Sequence, residues 1–188
     1  MSRKLLWLLL GFSIALTALM VGWQNIKYYP KDQEDLNLLT IENRSLHIRS
    51  ILRPIETKIQ DMYQIELPPV QLSLNLSPSG ESSYGFIWAT NRLIHLDLSW
   101  KLFVILNDEE IVAVIIHELG HIDMKNLVGN PMYYYHYSAR DIDTEIKADL
   151  FTAQFIDPYI ISSAITRLSY PGTEKERNER LEALALSH

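Results

Sequence analysis

The chain has no cysteine. Disulfides, thiol nucleophiles and thiolate-held metals are therefore excluded, and any metal must rest on His, Asp and Glu. A chain without thiols tolerates either redox environment, so the compartment stays open. Long basic runs are missing too. With a formal net charge of −6 and a pI of about 5.5, nucleic acid is not expected as a partner. No internal repeat or low-complexity segment is present. What remains suits one globular domain with an appendage: 188 residues, of which 47% are hydrophobic and 21% charged.

The appendage is N-terminal. After Arg3 and Lys4, Leu5 to Trp23 runs for 19 residues without a charge. A helix of that length spans roughly 28 Å, close to the hydrocarbon thickness of a bilayer. Trp7 and Trp23 lie near its ends, where interfacial aromatics are favoured. The competing readings are a cleaved signal peptide and a buried soluble helix. No small-x-small site follows the run, and Ser13-Ile14-Ala15 would cut through its middle, which disfavours cleavage. Arg3, Lys4 and the terminal amine favour a cytoplasmic N-terminus, with the rest of the chain extracytoplasmic; Lys27 and Lys31 weaken that bias. The expected organisation is a tail (1–4), a single-pass anchor (5–23), a linker (24–34) and one domain (35–188).

Within the domain, helical spacing predicts a helix over 35–53, a break or kink at Pro54, and a second helix to Tyr63. Alternation in Val70 to Leu76 predicts a strand. Tyr84 to Ala89 and Leu93 to Leu98 predict a hairpin turning at residues 90–92. "SWKLFVIL" suits a short helix. Asn107 and Glu110 form a capping-box pattern, which opens a helix expected to reach about Lys125. "NLVGNPMYYYHYS" reads as a loop. Further helices are expected over about 141–155 and 174–186, with Asp157-Pro158 ending the first or starting another.

The chemistry gathers in "HELGH", residues 117–121. Helical residues four apart share a face, about 5–6 Å apart, so His117 and His121 can offer two imidazoles to one ion. Glu118, offset by one residue, can accept a proton from water activated near neutral pH. Gly120 permits close approach of another segment. The bland reading is two histidines that pack or hydrogen-bond on a core helix. A third ligand decides between them. The extended motif with Gly at 124 and His at 127 fails, because those positions hold Met124 and Leu127. "DTEIKADLF" offers Glu145 as the third ligand instead, leaving a fourth position to water. Asp149 is then placed to accept the free N–H of a liganding imidazole. A solvated acidic face near Lys147 is the alternative for both carboxylates.

Together, "NDEEIVAVIIHELGHI" and "EIKAD" resemble the HtpX and CAAX prenyl protease family of membrane-associated HExxH zinc metallopeptidases, of the gluzincin type. The resemblance covers about residues 70 to 187. It implies an α+β, zincin-like domain with an active-site helix under a small mixed sheet. It also implies one Zn2+ per chain on His117, His121 and Glu145, Glu118 as general base, and Asp149 behind a ligand. "SYPGTEKERNERLEAL" is similar to a family segment in which His-Pro precedes an Arg-Leu helix. Here Tyr170 replaces the histidine, as a hydroxyl donor or as a packing residue, and the spacing to Arg180 is longer. A second resemblance, to the ImmA/IrrE metalloproteases, rests on the same "HELGH" and on "EIKADLFTAQFIDP" 24 residues after His121.

The leading expectation is a membrane-anchored zinc endopeptidase acting on a protein or peptide substrate. An ImmA-like regulatory protease and an inactive zinc-stabilised binding protein are the alternatives. Glu118 disfavours the last, since a structural site needs no base. Residues 82–89 are the candidate edge strand for an extended substrate, and "MYYYHY" (132–137) a candidate cleft wall. His95 and His136 read as structural. No feature sets an oligomeric state.

Overall fold

The computed structural model describes residues 38–75, 85–136, 141–169 and 172–187. The expected tail, anchor and linker, and Tyr170, lie outside these. Among the described residues no helix is long and apolar enough to cross a membrane. The elements follow as α1 (Leu38–Tyr63), β1 (Val70–Asn75), β2 (Gly85–Thr90), β3 (Leu93–Ser99), α2 (Trp100–Ile105) and α3 (Asp108–Gly120). After them come α4 (Met124–Gly129), β4 (Tyr134–His136), α5 (Ile142–Thr152), α6 (Pro158–Leu168) and α7 (Glu174–Ala185). The class is α+β, as expected.

Helix α1 corrects one expectation, because it runs unbroken through Pro54. A proline inside a helix costs about 3 kcal/mol. Ile48, Leu52, Ile55 and Ile59 are buried on both sides of it, and each contributes about 1.5–3 kcal/mol, so the burial outweighs the break. Arg44 fastens this helix to the start of α3: its Nε donates to Asp108 at 2.6 Å and its Nη2 to the Leu106 carbonyl at 2.8 Å, with Nη1 on the Phe103 carbonyl.

The sheet has the order β1-β3-β2-β4, with β1 parallel to β3 and the other pairs antiparallel. β2 and β3 form the expected hairpin. In β3, Ile94, Leu96 and Leu98 are buried, whereas His95 and Asp97 face the other way, as period-2 geometry requires. His95 stacks on Trp88 with ring centroids 5.1 Å apart and bonds Ser73 at 3.1 Å, a structural role as expected. Residues 82–84 lie outside the description. The C-terminal part of the candidate edge strand is a correction: over Trp88–Thr90, β2 is paired on both sides and so is interior, while residues 85–87 pair with β3 alone among the described residues. The edge is β4, inside the segment read as a loop. Its three residues are too short to show alternation.

Helix α3 organises the domain. Its capping box is closed, with both the Asn107 and Glu110 bonds at 2.9 Å. Ile111 to Ile116 are all buried, because α3 packs on β2, α1, α5 and α6 together. It stops at Gly120, not near Lys125. Asp123 accepts from the Asn126 amide at 3.1 Å and caps α4 instead, which turns the chain away.

Candidate metal centre

The C-terminal turn of α3 carries His117, Glu118 and Gly120, and His121 caps its end. Carbonyl groups at a helix C-terminus carry partial negative charge, so this end favours a cation. Helix α5 brings Glu145 against it. His117 Nε2 lies 3.2 Å from His121 Nε2 and 3.2 Å from Glu145 Oε2, and His121 Nε2 lies 3.7 Å from Glu145 Oε1. A tetrahedral site with bonds of about 2.1 Å has edges of about 3.4 Å. The two imidazole nitrogens lie near that separation, and each faces a different oxygen of Glu145. This group could hold a metal ion.

Close approach of α5 depends on Gly120. A Cβ there would lie 3.0 Å from the Ala148 Cα and 3.0 Å from the Phe151 ring. Behind the ligands, His117 Nδ1 lies 2.8 Å from Asp149 Oδ1, so Nε2 is the nitrogen turned towards His121 and Glu145. Asp149 is 1% exposed. A buried carboxylate needs a cation, and α7 provides Arg180: Nε donates to Oδ2 at 2.7 Å and Nη2 to Oδ1 at 2.8 Å. Its Nη1 also reaches Glu145 Oε2 at 3.2 Å.

These contacts set the protonation states of the metal-free protein. Burial lowers the His117 pKa, but its bonds to Asp149 and Glu145 outweigh this and hold it up at about 9. For His121, burial and then the charge on His117 act together and bring it down to about 4. Burial pushes Glu118 above the ordinary carboxylate range, with Glu145 adding to the effect. Asp149 goes the other way, since Arg180 and His117 overcome its burial and keep it ionised.

The fold thus brings together His117, Glu118, His121, Glu145 and Asp149. Sequence reasoning gave Arg180 no role, although a demand for a cation opposite the acidic residues of α5 points towards a basic residue on a later amphipathic helix. Tyr135 of β4, within the aromatic stretch read as a candidate cleft wall, is acted on by the charges of Glu118 and Glu145. No protein-family model, curated protein or solved structure matches the chain.

Proposed function

We propose that this chain is a membrane-anchored zinc endopeptidase with Glu118 as its general base, of the kind that its HELGH and EIKAD motifs resemble. The observation that carries this reading is the convergence of His117 Nε2, His121 Nε2 and the two oxygens of the Glu145 carboxylate at 3.2 to 3.7 Å. A bound zinc supplies a Lewis acid and brings the pKa of water to about 7. Glu118, made more basic by burial, takes the proton of the attacking water and returns it to the leaving amine. Asp149 fixes the His117 ring through Nδ1, and Arg180 holds Asp149 and Glu145 in place. An extended peptide adds to the outer edge of β4, where backbone groups at Tyr134–His136 meet no further strand among the described residues. The anchor is Leu5 to Trp23, with the catalytic domain on the extracytoplasmic side.

The test uses the full chain in detergent, loaded with zinc, on an unstructured peptide. Chelator should abolish cleavage. Glu118→Gln should lose hydrolysis and keep its zinc, and full activity in that purified variant would sink the mechanism. His117→Ala or His121→Ala should lose the metal; unchanged zinc by elemental analysis rejects those ligands.

A further inference from the structure

We propose that Tyr135 is a catalytic residue whose hydroxyl donates a hydrogen bond to the oxyanion formed during peptide hydrolysis, a role that rests on the peptidase reading above. The register of β4 carries the placement. Tyr135 stands directly opposite Ala89 in an antiparallel pair, and residues so paired share a face of the sheet. Ala89 and its neighbour on that face, Ile87, are both fully buried, and β2 packs on α3. Tyr135 therefore points to the side of the sheet that holds HELGH, and it packs against the core. Tyr134, one residue away, points to the opposite side and is 64% exposed.

The surroundings of the hydroxyl agree with that placement. Burial pushes the Tyr135 phenol up to about 12, and the strongest charge acting in the same direction is Glu118, followed by Tyr133 and Glu145. The register puts the phenol on the sheet face towards α3, and the charges that act on it include that of the general base. The phenol also keeps its proton at neutral pH, as a donor must. Arg180, the other strong donor at this centre, is committed to Asp149 and Glu145. In the step, water oxygen bonds the scissile carbon, its proton passes to Glu118, and the carbonyl π pair moves onto oxygen. Tyr135 O–H donates to that oxygen without losing its proton. When the C–N bond breaks, the electron pair returns and the amine takes the proton from Glu118.

Tyr135→Phe in the zinc-loaded full chain should lower kcat by about 10²–10³-fold, the usual loss for one oxyanion donor, with KM and zinc content unchanged. Tyr159→Phe, 81% exposed at the start of α6 and away from the centre, should match the wild type. Affinity for a phosphinic peptide, which mimics the tetrahedral oxyanion, should fall in Tyr135→Phe, while binding of a product peptide stays the same. In metal-free protein, nuclear Overhauser contacts are expected between the Tyr135 ring and the Glu118 methylenes, and their absence overturns the placement. A wild-type kcat in Tyr135→Phe overturns the donor role and leaves the peptidase reading standing. If the wild-type chain cleaves nothing, both fall together.

Discussion

His117 Nδ1 meets Asp149 Oδ1 at 2.8 Å, and the same carboxylate is gripped by Arg180 at 2.7 and 2.8 Å. The imidazole is thereby oriented before any metal arrives, with Nδ1 as the donor and Nε2 facing His121 and Glu145. Asp149→Asn keeps the size of the side chain and removes its charge. Loss of such an outer partner typically costs 10–100-fold in metal affinity, so zinc should bind Asp149→Asn about 10–100-fold more weakly. Competition against a chromophoric chelator measures this. An unchanged affinity would mean that Asp149 does not support the ligand.

The metal-free protein should lose stability as pH rises from about 6.5 to about 9. In the unfolded chain a histidine titrates near about 6.5, whereas the fold holds His117 protonated up to about 9. Its contribution is therefore complete below the lower value and disappears as pH passes the upper one. Glu118, also raised by burial, acts in the same direction. Urea midpoints across this range check the slope, which should flatten in His117→Gln. Zinc requires a neutral His117 Nε2, so binding at pH 7 should displace the proton on that ring. Calorimetry in buffers of different ionisation enthalpy should register its release.

Local signals made much of this legible. The capping box at Asn107 and Glu110 needs only residues three apart, and the β2–β3 hairpin only alternation around a tight turn. Asp149 followed from helical spacing after Glu145. The remainder depends on partners distant in sequence. α1 persists through Pro54 because its buried aliphatic residues hold both halves. The break after Gly120 reflects a competing cap at Asp123. β4 exists because β2 offers it an edge. Arg180 joins the centre because α7 packs on α5. Apart from the Asp123 cap, whose partner is only three residues away, no short window of sequence contains these relationships.

Gly120→Ala should damage both stability and metal binding. Alanine is the better helix former by about 1 kcal/mol, and Gly120 has no positive φ to protect. Against this, the new Cβ would sit 3.0 Å from the Ala148 Cα. That atom is backbone and yields only if α5 shifts. Overpacking of this kind costs about 1–3 kcal/mol, so the net change should be destabilising by denaturant unfolding. Because α5 also carries Glu145, zinc affinity should fall with it. A more stable variant with wild-type zinc affinity would show that the helix contact tolerates a methyl group.

Arg180 ties α7 to the centre, and its removal separates a charge effect from a geometric one. Arg180→Ala leaves Asp149 buried without its guanidinium, and breaking a buried pair in this way costs about 3–5 kcal/mol. Arg180→Lys restores a positive charge but cannot make the paired contact to both carboxylate oxygens. It should fall between Ala and wild type in denaturant unfolding. Zinc affinity should follow the same order, because Arg180 also contacts Glu145. A loss below about 1 kcal/mol in Arg180→Ala, the size of an exposed ion pair, would mean that solvent replaces the guanidinium and that α7 is not needed to hold the carboxylates in place.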